Sequence, residues 1–166
     1  GEVLAGDVVR VDSLDELTGG MAPGEQIILA ARPSVGKTTL ALNIAVNVAR
    51  QGHGVCFYSL EMKDTNLAIN AQARLSGLRR WDIYKRGLTP ENYEKFKQAG
   101  EQLQNLPFWI VEDGAASARQ VAAMAQIAAR RNKLMLLVVD YIQLMRVEKS
   151  DSRNLEVGAL ARDLKR

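Results

Sequence analysis

Aromatic residues are scarce in this chain, at 5% of its 166 positions, and it carries one cysteine, one histidine and four prolines. The lone Cys56 cannot close an internal disulfide, which excludes the small disulfide-stapled scaffolds. Its setting, Val-Cys-Phe-Tyr-Ser, reads as a buried core thiol in a reducing compartment. His53 stands in the turn Gln51-Gly52-His53-Gly54 with no partner at zinc-ligand spacing, and reads as a surface residue. Long apolar runs are also missing. The longest, Leu134 to Val139, has six residues, against the roughly 20 that span a bilayer, so no membrane association is expected. Residues 1–12, GEVLAGDVVRVD, show no basic region followed by an apolar core, and no signal peptide is expected. Neither sign of charge dominates: 22 Lys+Arg against 19 Asp+Glu leave +3, and 47% of the residues are hydrophobic. That balance excludes a disordered chain and permits a nucleotide or nucleic-acid partner without demanding one.

What is present is an alternation. Short aliphatic runs predict strands at Gln26–Ala30, Val55–Leu60, Phe108–Val111 and Leu134–Asp140, each apolar enough to be buried on both faces of a parallel sheet. Segments of helical period lie between them. Leu40, Ile44 and Val48 predict a helix over 39–50, and a second runs over 65–76 with Gly77 as its stop. Thr89-Pro90 predicts an N-cap followed by proline at the first helical position, for a helix reaching Gln104. Ser117-Ala118-Arg119-Gln120 is a capping box. Glu148–Asn154 reads as a loop and Leu155–Lys165 as a further helix. There is no internal repeat or low-complexity tract. Together these features predict an α/β fold, a mostly parallel sheet covered by helices on both faces.

Ala31-Arg32-Pro33-Ser34-Val35-Gly36-Lys37-Thr38 is a P-loop with alanine at the usual first glycine, placed between a predicted strand and a predicted helix. Gly36 lets the backbone approach a phosphate, and successive N–H groups form an anion nest at the positive end of the helix. Lys37 can reach the β- and γ-phosphates of ATP, and the Thr38 hydroxyl can ligate Mg²⁺. A magnesium nucleotide site also needs a strand-ending carboxylate, which Leu136-Leu137-Val138-Val139-Asp140 supplies as a Walker B strand. The next residue is Tyr141, where many water-activating ATPases carry glutamate. Glu61, after the strand ending Ser59-Leu60, is a candidate base on another strand; from spacing alone it reads equally well as a helix N-terminal acid or a solvated rim charge.

AARPSVGKTTLALNIA, FYSLEM and LLVVDYIQLMRV, in that order and at those separations, resemble the RecA-like motor domain of bacterial or phage replicative DNA helicases of the DnaB type. The resemblance runs from about Val11 to Arg166. It implies a hexameric, ATP-driven motor that encircles and translocates along single-stranded DNA, with a primase and a helicase loader as partners in the cytoplasm. By that resemblance Lys37 and Thr38 are Walker A residues, Asp140 is the Walker B carboxylate, and Glu61 orients the attacking water. Arg32, Ser34, Gly36 and Thr39 complete the phosphate cradle.

The family's helical collar domain would precede Gly1. Its γ-phosphate sensor, DNA-binding loops and arginine finger would follow Arg166. Residues 1–166 therefore read as one partial RecA-like domain that binds nucleotide but does not unwind DNA alone. Stimulated hydrolysis without the finger would fall on the order of 10³-fold or more. In such folds the next strand lies between the Walker A and Walker B strands, so its absence predicts a gap in the sheet. The alternatives are a recombinase-type ATPase, which SLEM and DYIQLM argue against, and a non-hydrolysing module derived from a helicase, which the intact Lys37, Thr38, Glu61 and Asp140 argue against. Arg79-Arg80-Trp81 and Arg130-Arg131 read as solvated helix faces. Trp81 and Trp109 read as core or interface anchors.

Overall fold

The computed structural model describes residues 16–17, 19–22, 24–32, 34–132 and 134–140. Among the described residues, three strands form one parallel sheet: β1 (Gly54–Ser59), β2 (Phe108–Glu112) and β3 (Leu134–Asp140), in the spatial order β2-β1-β3. Helices accompany them among the described residues: α1 (Lys37–Arg50), α2 (Asp64–Ser76), α3 (Pro90–Gln104) and α4 (Ala118–Asn132). Parallel neighbours require crossovers, and the segments between strands supply them as helices. β1 pairs along its length with both neighbours, from Val55 opposite Phe108 and Leu136 to Ser59 opposite Glu112 and Asp140. All six of its residues are buried.

Side-chain alternation divides the core in two. Val55 and Phe57 join Leu42, Val46, Val48 and Leu67 on the α1/α2 face, with Phe108, Ile110, Leu136 and Val138 from the flanking strands. Tyr58 and Leu60 join Val121 of α4 on the other face, with Val111, Leu137 and Val139. The predicted covering of both sheet faces by helices is thus present. Cys56 is buried, as its neighbours implied, and burial pushes its thiol pKa up.

The helix boundaries follow local chemistry. The Thr89 side chain accepts the Asn92 N–H at 3.3 Å, with Pro90 at the first helical position. Ser117 and Gln120 cap α4 reciprocally, Ser117 N–H donating to Gln120 Oε1 at 2.8 Å and Gln120 N–H to Ser117 Oγ at 3.4 Å. Gly77 ends α2 at φ +70°. One element has no counterpart in the sequence-based expectations, a π-helical turn over Asp82–Arg86. It is preceded by Arg79, which pairs with Asp82 at 2.8 Å, and Arg80 lies 5.2 Å from the Tyr84 ring.

One predicted strand is not there. Gln26–Ala30 adopts no strand and is exposed, with Ile27 at 55% and Ile28 at 66% accessibility. A strand exists only through a neighbour's hydrogen bonds, and among the described residues no segment runs alongside 26–30. The predicted loop at Glu148–Asn154, the predicted helix over 155–165, and Tyr141 lie outside the described residues. No helix among the described residues is long and apolar enough to cross a membrane.

Candidate functional site

The site forms where β1 and β3 end and α1 begins. The backbone entering α1 takes two left-handed conformations, Ser34 at φ +64° and Gly36 at φ +104°. A Cβ at Gly36 would meet nothing within 4 Å. Glycine is needed there for its backbone angle, which L side chains rarely adopt, and not for space. Gly36 is the N-cap of α1 and offers no side-chain acceptor, and the first turn holds no acidic residue. A helix start without a capping acid presents its positive end to an anion.

Lys37, Thr38 and Thr39 occupy that first turn, and the fold carries two of them to the end of β3. Thr38 Oγ1 donates to Asp140 Oδ2 at 2.6 Å. Lys37 Nζ lies 3.8 Å from Asp140 Oδ1. Asp140 is 3% exposed, so its charge is held by an ammonium and a hydroxyl in a setting that water screens poorly. The pair of hard oxygens, Thr38 Oγ1 and Asp140 Oδ2, is a donor set suited to Mg²⁺ and close enough for both to serve one ion's shell. Arg32 and Ser34 are exposed in the loop before α1, where Arg32 C=O accepts from Val35 N–H at 3.4 Å.

Glu61 stands at the same edge of the sheet. Ser59 is opposite Asp140 in the ladder, and Leu60 N–H donates to Asp140 C=O at 2.8 Å. Glu61 is the next residue and is exposed. Thr38 and Thr39 also line a cleft of about 270 Å³ together with Met62, Asn70, Arg74 and Arg80. The Asn70 Oδ1 on its wall is buried without a hydrogen-bond partner. Sequence reasoning misses Arg74, because a single arginine in an amphipathic helix reads as surface. Arg80, read from the sequence as part of a solvated face, is exposed and also borders this cleft just before the π-helical turn. His53 and Arg130 take no part in the site, and Trp81 is 59% exposed.

Residues 8–166 match the family of DnaB-like helicase C-terminal domains. The chain belongs to that family. The replicative DNA helicase DnaB of Buchnera aphidicola is 36% identical over 156 residues, which is 92% of this chain and 34% of that protein. Among solved structures, a DnaB-like replicative helicase described with its interactions with primase superposes with a TM-score of 0.87 at 25% identity, covering 99% of this chain and 41% of that one. A second solved structure, described as an ATPase domain, gives 0.85 at 26% identity, covering 99% of this chain and 58% of that one. This DnaB-like domain has the RecA-like architecture that the resemblance of its motifs implied. It spans about a third of the length of the curated relatives that it matches.

Proposed function

We propose that this chain is the ATP-hydrolysing part of a replicative DNA helicase, coupling Mg-ATP turnover to translocation on single-stranded DNA and duplex unwinding. The observation that carries this reading is the convergence of Thr38 and Lys37 on the buried carboxylate of Asp140, at 2.6 Å and 3.8 Å. A helix N-terminus, an ammonium and two hard oxygens fit a triphosphate with its metal.

In this reading the N-terminal amides of α1, with Arg32, Ser34, Gly36 and Thr39 around them, hold the phosphate chain. Lys37 places its charge between the β- and γ-phosphates. Thr38 and Asp140 would hold Mg²⁺, which would supply positive charge to the phosphate chain. Glu61 accepts a proton from water as the water oxygen bonds to the γ-phosphorus. The bond from that phosphorus to the bridging oxygen breaks, leaving ADP and inorganic phosphate. Family membership supports a cytoplasmic homo-hexamer around the strand, a primase and a loader as partners, and an arginine finger from the adjacent subunit.

The test is Mg-ATP hydrolysis by the full-length gene product, with and without single-stranded DNA, beside its Glu61→Gln variant. DNA-stimulated turnover that is lost in the variant while ATP binding persists is the expected result. Tight ATP binding without turnover in the unaltered protein would overturn the motor reading in favour of a nucleotide-binding module.

A further inference from the structure

β1 is buried along its whole length, yet its last residue is a serine at 0% exposure. A buried hydroxyl is destabilising unless its hydrogen bonds are made. Ser59 makes both with one residue: Oγ donates to Met62 C=O at 2.7 Å and accepts Met62 N–H at 3.0 Å. The hydroxyl thereby closes a four-residue turn with Leu60 and Glu61 at its apex.

Two further bonds hold that turn from outside, and a third holds the chain just beyond it. Leu60 N–H is tied to Asp140 C=O, and Asp113 N–H donates to Ser59 C=O at 3.1 Å. Glu112, at the end of β2, accepts the Asp64 N–H at 3.1 Å where α2 begins. Leu60 is itself 5% exposed and packs in the α4-side core. The backbone is therefore fixed at positions 59, 60, 62 and 64, and Glu61 is the exposed side chain carried at the tip.

We propose that Ser59 is a positioning residue for Glu61: its hydroxyl shapes the turn that aims the carboxylate at the water attacking the γ-phosphate, and Glu112 braces the chain just beyond that turn from β2. The inference rests on the reading of Glu61 as the base and adds how the fold aims it. A small apolar residue would fill the same space at the end of β1. It would leave the two backbone groups of Met62 without this partner, and the turn would widen. Misplacing a reacting group by about 1 Å can cost on the order of 100-fold in rate.

The experiment uses the full-length gene product and measures kcat and KM for Mg-ATP, and affinity for a fluorescent ATP analogue, in Ser59→Ala and Glu112→Ala. Each substitution is made alone and in the Glu61→Gln background, with single-turnover assays for the slow variants. Ser59→Ala is expected to lower kcat about 10- to 100-fold and Glu112→Ala by a few-fold, with KM and analogue affinity within about twofold of the unaltered protein. In the Glu61→Gln background neither substitution should slow turnover further, because the group it positions has been removed.

Unchanged kcat in Ser59→Ala, equal losses in both backgrounds, or affinity falling in step with kcat would overturn the proposal. Glu112 is exposed, so its variant carries the test should Ser59→Ala not fold. Glu61→Gln turning over at the unaltered rate would overturn the reading of Glu61 itself, a result distinguishable from failure of the Ser59 inference.

Discussion

Asp140 is a nearly buried carboxylate with a hydroxyl on one oxygen and an ammonium near the other, so its two partners set both its position and the cost of changing it. In Asp140→Asn the amide oxygen still accepts from Thr38, but the charge facing Lys37 is lost. On the proposed function, the Mg²⁺ concentration for half-maximal ATP hydrolysis by the full-length gene product should rise about 10- to 100-fold, as read from a metal titration at saturating ATP. A second residue at the same end of β1 gives a pH-dependent prediction. The Tyr58 hydroxyl donates to Asp113 Oδ2 at 3.2 Å; burial first, then that bond and the Asp113 charge, push its pKa up to about 12. An unfolded tyrosine loses its proton near pH 10. The native state thus holds this proton more tightly, and the stability it contributes is complete below about pH 10 and declines as pH rises through about 12. The gap in urea midpoint between the unaltered protein and Tyr58→Phe should therefore narrow steadily above pH 10. A constant gap from pH 8 to pH 11.5 would contradict this.

The elements whose ends are set by local chemistry were legible in the sequence. Thr89-Pro90 and Ser117-Gln120 announced the starts of α3 and α4 because a cap is a contract between residues three apart, and the structure closes both. Thr89→Ala should lower unfolding free energy by about 1 kcal/mol, measured as a shift in urea midpoint at constant slope. The failures fall where the deciding partner is distant or the signal is weak. Gln26–Ala30 has the composition of a buried strand, but composition cannot provide the neighbour that a ladder requires. The π-helical turn at Asp82–Arg86 has no sequence pattern that separates it from an ordinary helical turn. Within the site, the P-loop and the aliphatic run ending in Asp140 could be read directly. Their meeting was expected from the needs of a magnesium nucleotide, and the way the chain crosses the sheet brings Thr38 Oγ1 within 2.6 Å of Asp140. Ser59 carries no signal of its own, since a serine between an aliphatic strand and an acid reads as a strand end.

At the scale of the whole domain, β1 is the spine: paired on both sides, buried throughout, and packed by helices on each face. Its amides should be among the slowest to exchange in deuterium-labelling mass spectrometry, and those of residues 26–30 among the fastest. Phe57, at 0% exposure in the α1/α2 core, should cost about 3–5 kcal/mol on substitution by alanine. The ladder between β1 and β3 also bears on how such a domain can flex. Ser59 and Asp140 are register partners, so Glu61 and Asp140 hang from two rails joined by ladder hydrogen bonds. A one-residue slip between the rails would turn the α1/α2-facing side chains toward α4. The two carboxylates are consequently locked in phase and ride as one stiff block. Any flexing of the domain near this site must be taken up elsewhere, as at the loop leading into α1.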